Sequence, residues 1–115
     1  MIDESKLRKI QITEGSLANN YFNVATILDL FPSGAIGGSS KASEGRQLYI
    51  LTDMGQRFRT DIAGDKGVFR NRGEGGVADF FRGRFVDGDT VYIYRISDYE
   101  YFLSKTMDLI EAKYG

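Results

Sequence analysis

Two strand-length runs that meet at Ser97-Asp98 constrain this chain more than any other feature. Residues 90–96 (T-V-Y-I-Y-R-I) place Val91, Ile93 and Arg95 on one side and Tyr92, Tyr94 and Ile96 on the other. A period of two is the signature of a strand. Asp87-Gly88 ahead of the run is a strong turn signal, and residues 99–103 follow Ser97-Asp98 as another strand.

The same pattern recurs upstream. Residues 6–13 end in alternation, with Ile10 and Ile12 on one face, and Glu14-Gly15-Ser16 break the run. Residues 47–52 (Q-L-Y-I-L-T) read as a strand, Asp53-Met54-Gly55 as its turn and residues 56–62 as the returning strand. Residues 67–71 complete a further hairpin around residues 64–66. With 14 Gly and one Pro, glycine makes the turns, and eight Phe and seven Tyr favour strands.

Helical signals are few. Val77, Phe80, Phe81 and Arg84 fall at i, i+3, i+4 and i+7 within residues 77–85, which predicts an amphipathic helix. Thr26 is placed to cap a short turn over residues 27–30, stopped by Phe31-Pro32. Ser104 is placed to cap a C-terminal helix over residues 105–114. The expectation is one domain over residues 1–115, α+β and mainly β. It has about seven short strands, arriving in hairpins as an antiparallel sheet or open barrel, with two or three short helices.

Composition excludes much chemistry. There is no Cys and no His, so disulfides, thiolate nucleophiles, His-based triads and most zinc sites are absent. No cofactor is expected. Residues 1–9 are charged and carry no apolar run of the signal-peptide kind, and no stretch approaches the ~20 apolar residues that span a bilayer. A soluble protein without a membrane partner is expected, and the lack of Cys fits a cytosolic one. Net charge is −1, which argues against generic polyanion binding. Residues 57–84 nevertheless hold seven basic and four acidic side chains, leaving +3 there and −4 elsewhere.

The densest chemistry lies in residues 60–72 (T-D-I-A-G-D-K-G-V-F-R-N-R), which mix carboxylates and guanidinium groups around a hairpin. Major-groove readout uses Arg for guanine, Asn or Gln for adenine and a carboxylate for cytosine. Asn19, Asn20 and Asn23 supply part of that set; Asp61, Asp65, Lys66, Arg70, Asn71 and Arg72 supply the rest. Two other readings stay open: Asn19-Asn20 as a turn, and Asp61 paired with Arg70 across the hairpin. Gly37-Gly38-Ser39-Ser40-Lys41 lies in a loop over residues 33–45. It departs from the nucleotide-binding G-x-x-x-x-G-K-[ST] pattern because Ala42 follows Lys41. A backbone nest for one DNA phosphate, or a plain loop, accounts for it better. Asp61, Asp65 and Lys66 are the nearest approach to a Mg²⁺-dependent nuclease, without the apolar strand such a site requires. Asp87 and Asp89 read as turn chemistry. A protein-interaction barrel using Tyr92, Tyr94, Tyr99 and Tyr101 is the other alternative.

Several short motifs carry a resemblance. They are Ile12-Thr13-Glu14-Gly15 with Asn19-Asn20, Leu30-Phe31-Pro32 before Ala35-Ile36-Gly37-Gly38-Ser39, and Thr60-Asp61-Ile62. Asp65-Lys66 with Phe69-Arg70 and Arg72-Gly73, and Phe80-Phe81 before Gly88-Asp89-Thr90-Val91, complete the set. In this order, over residues 9–103, the chain resembles the B3-type DNA-binding pseudobarrel, in the form found in type II restriction endonucleases. The plant form's Lys-rich first arm and its Trp are missing. The resemblance implies a seven-stranded open barrel that grips duplex DNA in the major groove with two arms, here residues 16–26 and 61–72. Catalysis would then lie in a fused or associated nuclease domain, in a prokaryotic cytoplasm. On this reading Asn19, Asn20, Asp61, Asp65, Arg70 and Arg72 contact bases or the groove. Ser16, Asn23 and Asn71 lie on the arms, and Lys41, Arg46, Arg59 and Lys66 contact phosphates.

Overall fold

The computed structural model describes residues 1–38, 44–70 and 76–115. Its strands are β1 (Leu7–Gln11), β2 (Ile36–Gly37), β3 (Leu48–Thr52), β4 (Arg57–Thr60), β5 (Ile62–Ala63), β6 (Val68–Phe69), β7 (Thr90–Ser97) and β8 (Glu100–Ser104). Its α-helices are α1 (Glu14–Asn19), α2 (Val77–Phe81) and α3 (Met107–Tyr114). One sheet has the order β1-β7-β8-β3-β4 and the other β2-β5-β6. The class is α+β and mainly β, as expected, and the sheets do not close into a barrel.

The C-terminal hairpin is the centre of the larger sheet. β7 and β8 pair antiparallel, with Ile93 opposite Leu103, Tyr94 opposite Phe102 and a register shift between Arg95 and Ser97. Alternation sends Val91, Ile93, Tyr101 and Leu103 into the main core with Leu48 and Ile50 of β3. Tyr94 and Phe102 go to a second core on the outer face, under Ile110 of α3 and Ile2. Tyr101 is fully buried, and its single hydroxyl proton is shared between the carbonyls of Leu30 and Asp98, each at 3.0 Å. Burial pushes its pKa up to about 12.

Several sequence expectations need correction. β3 lies parallel to β8, and β2 parallel to β5, so the sheets are mixed. Alternation fixes which face is buried and carries no information about a partner's direction. The returning strand over residues 56–62 divides into β4 and β5, and β2 lies within the stretch expected to be a loop over residues 33–45, so the described residues hold eight strands where about seven were expected. Residues 60–63 are all buried, so the period of two fails there and the chain changes sheets at Asp61. Residues 14–16 start α1 instead of a break: the Thr13 hydroxyl accepts the Ser16 N–H at 3.1 Å and caps it. The 3-10 turn Ala25–Leu30 is introduced by Asn23, whose Oδ1 accepts the Ala25 N–H at 2.9 Å, and Thr26 plays no capping part. α2 ends at Phe81, because Arg82 leaves helical geometry and Gly83 has φ 66°. Ser104 ends β8; its hydroxyl engages the backbone of Thr106, and α3 starts only at Met107.

Candidate nucleic-acid interface

Both expected arms grow from rigid parts of the fold. The first leaves α1 through Asn20, the one described non-glycine residue with positive φ (55°). Asn tolerates that left-handed conformation better than most residues. The Asn20 and Tyr21 N–H groups both donate to the Ser16 carbonyl and close the helix. Burial then alternates: Tyr21 and Asn23 face out, while Phe22 and Val24 have no exposed surface.

The second arm is the β5–β6 hairpin, turning through residues 64–67. The Lys66 and Gly67 N–H groups return to the Ala63 carbonyl at 3.2 and 2.8 Å. Gly67 has φ 67°, and a Cβ there would lie 2.7 Å from the Ala25 Cβ, so glycine is demanded twice. The close approach exists because the arms join. The Phe69 N–H donates to the Phe22 carbonyl at 3.1 Å, the Val24 N–H donates to the Gly67 carbonyl at 2.7 Å, and Asn23 bridges Val68. Beneath the seam Phe22 stacks on Phe69 (5.0 Å between centroids) and meets Phe80 and Phe81 of α2, each at 6.3 Å. Backbone pairing and aromatic packing hold the two arms as one unit.

The result is an exposed strip of Asn19, Asn20, Tyr21, Asn23, Asp65 and Lys66. The Asn19 amide donates to the Gly15 carbonyl at 2.9 Å, and no hydrogen bond within the described residues engages its oxygen. Ser16 is half-buried in the cap, its Oγ accepting from Thr13 at 3.0 Å. Tyr21 was not among the sequence candidates. Its alternation with Phe22 and Val24 was the available signal, and Lys66 Nζ lies 6.0 Å from its ring centre. Arg82 was also missed. It borders a crevice with Asn20 and Leu17 while pairing with Asp79 at 2.9 Å.

Asp61 and Arg70 take a different place from the one expected of base readers. Asp61 has no exposed surface; its Oδ1 accepts from Arg70 Nε at 3.0 Å and its Oδ2 from the Gly45 N–H at 2.7 Å. Arg70 Nη2 donates to the Gly38 carbonyl at 2.8 Å, and its N–H to the Asp61 carbonyl at 2.8 Å. A carboxylate closed off in this way offers no edge to a base. The pair, the alternative left open by the sequence, ties the root of the second arm to the chain on either side of residues 39–43. Lys41, Asn71 and Arg72 lie outside the described residues. Arg46 and Arg59 sit away from the strip, on the outer face of β3 and β4 around Tyr49.

The alternative chemistries are not assembled. Asp61 is buried at the base of the hairpin while Asp65 and Lys66 are exposed at its tip. Among the described residues no group of three His, Cys, Asp or Glu side chains could hold a metal ion. Asp87 and Asp89 accept the Glu14 and Val86 N–H groups, both at 2.9 Å, which is turn chemistry. The four tyrosines form no surface: Tyr94 and Tyr101 are buried, and Tyr92 and Tyr99 are half-buried. No helix among the described residues is long and apolar enough to cross a membrane.

Comparison with solved structures finds the N-terminal domain of Helicobacter pylori LlaJI.R1, at TM-score 0.58 and 14% identity, over 86% of this chain and 85% of that one. The two share a fold. No family model and no curated protein sequence matches the chain.

Proposed function

We propose that this domain binds duplex DNA sequence-specifically, inserting the joined arms into the major groove, as the target-recognition part of a prokaryotic restriction system. The observation that carries the reading is the joined seam, which holds a mixed donor and acceptor strip on a rigid aromatic base. Asn20 offers a full amide edge of the kind that suits adenine, Asn19 its Oδ1 and Asn23 its Nδ2 beside the groups already bonded to Gly15 and Ala25, Asp65 an acceptor for cytosine N4, and Lys66 a donor for guanine or phosphate. Base contacts specify only when their scaffold is fixed, and residues 22–24 and 67–69 are fixed by backbone hydrogen bonds. Asp61 and Arg70 act as positioning residues. The resemblance to B3-type domains in restriction endonucleases, and the fold shared with the LlaJI.R1 domain, support the same reading. Cleavage would belong to a separate nuclease domain, so plasmid incubated with this chain and Mg²⁺ stays intact.

Selection from a randomised duplex library tests the proposal. It should enrich one short site, for which Asn23→Ala weakens binding by ~1–3 kcal/mol relative to random duplex. An unenriched library, or equal losses on enriched and random DNA, would overturn it.

A further inference from the structure

Arginine pairing in this chain is uneven. Arg8, Arg70, Arg82, Arg84 and Arg95 each have a carboxylate partner. Among the described residues Arg46, Arg57 and Arg59 have none, and all three border adjoining hollows on one patch of the outer sheet face. Register explains the grouping. Tyr49 lies opposite Arg59 and Leu51 opposite Arg57 in the β3–β4 pair, and Tyr49 lies beside Glu100 of β8. Directly opposed residues share a face, so Tyr49, Leu51, Arg57, Arg59 and Glu100 form one surface. The outer core under α3 and Ile2 reaches as far as Leu51 and leaves Tyr49, Arg57 and Arg59 exposed, with Tyr49 51% exposed beside a hollow of about 320 Å³. Arg46 adds a guanidinium stacked 4.1 Å from the centre of the Tyr99 ring. Among the described residues two carboxylates line the hollows: Glu100, which accepts from Ser97 Oγ at 2.8 Å, and, beside Arg46, Asp98, whose charge is matched by Arg95 at 2.5 Å. The patch is therefore cationic, with an aromatic floor.

We propose that this face, independently of the arms, binds a single-stranded nucleic acid segment, one base stacked on Tyr49 and its phosphates on Arg57, Arg59 and Arg46. Unpaired guanidinium groups flanking an exposed ring are the elements of sequence-tolerant single-strand binding. Arg57 and Arg59 project from one side of an extended strand about 6.8 Å apart, two residues at ~3.4 Å each, so they can meet different phosphates. A duplex shows no base face to Tyr49 within its stack. An acidic peptide would engage the guanidinium groups and leave the ring without a stacking partner.

The test is fluorescence anisotropy of the whole chain with a labelled twelve-nucleotide oligothymidylate at several salt concentrations. Tyr49→Ala should weaken binding about tenfold, and Tyr49→Phe should retain it, since stacking carries that contact. Arg57→Ala with Arg59→Ala should flatten the slope of log affinity against log salt by about 1.4, two phosphate contacts at ~0.7 each. Lys66→Ala should leave this binding unchanged. Absence of oligothymidylate binding, indifference to Tyr49→Ala, or displacement by polyglutamate as effective as by unlabelled oligonucleotide would overturn the proposal. Retained binding of an enriched duplex by the Arg57/Arg59 variant separates this site from the arms.

Discussion

Removing the Asp61 carboxylate while keeping its shape gives the sharpest test of how the second arm is held. Asp61→Asn leaves the packing and exchanges an ion pair for a neutral contact. Three observations set the magnitude: the Arg70 Nε contact is 3.0 Å, the Gly45 N–H contact is 2.7 Å, and Asp61 has no exposed surface. A charge-assisted hydrogen bond contributes ~1.5–3 kcal/mol, and leaving one member of a buried pair without its counter-charge costs ~3–5 kcal/mol. The Arg70 side chain keeps 12% of its surface exposed and retains the Gly38 carbonyl, so the lower end applies, about 3 kcal/mol. With an m value of ~1–3 kcal/mol per molar urea, the midpoint should fall by roughly 1–3 M. Arg70→Met should cost a similar amount. The double variant should cost less than the sum of the two, because the second change removes a charge already deprived of its partner. Binding to enriched and random duplex should weaken in proportion to unfolding, with the base preference intact. An unchanged urea midpoint together with relaxed preference at one base position would refute the positioning role and make Asp61 a reader.

Three further outcomes follow from the same geometry. Tyr101 is raised to about 12 by burial, above its unfolded value near 10, so its neutral form is the one the fold favours. Its contribution, about 2–3 kcal/mol, is fully present below pH 10 and is lost as pH rises through 12; burial raises Tyr114 as well, so Tyr101→Phe should reduce the alkaline loss in urea titrations at pH 9 to 12 without abolishing it, and an undiminished loss would place the cause elsewhere. Gly67→Ala should destabilise by about 1–3 kcal/mol, because the residue has φ 67° and the new Cβ meets Ala25 at 2.7 Å; a thermal midpoint within 1–2 °C of the parent, roughly a few tenths of a kcal/mol, would contradict the close seam. Lys66→Ala should leave stability within about 0.5 kcal/mol, since the side chain is exposed, and should weaken enriched duplex in a gel shift; unchanged affinity would remove Lys66 from the interface.

Alternation was enough to reveal the strands of the C-terminal hairpin, β1 and β3, because a period of two is a local property of neighbouring residues. The Phe80-Phe81 pair and the turns at Gly55 and Gly88 were legible for the same reason: helical spacing and positive φ leave marks on a few adjacent residues. α1 escaped because Gly15 and Ser16 look like a break until Thr13 is seen to cap them. Strand direction, the change of sheet at Asp61 and the joining of residues 22–24 to residues 67–69 were invisible locally. They depend on which distant segments share the aromatic core. Within the candidate site, Asn19, Asn20, Asn23, Asp65 and Lys66 were expected from their chemistry, and the structure leaves them exposed. Asp61 and Arg70 carry the same chemistry and belong to the interior. A side-chain type states what a group can bond, and only tertiary packing, by removing or leaving solvent around it, decides whether the bond is made within the fold or offered outward.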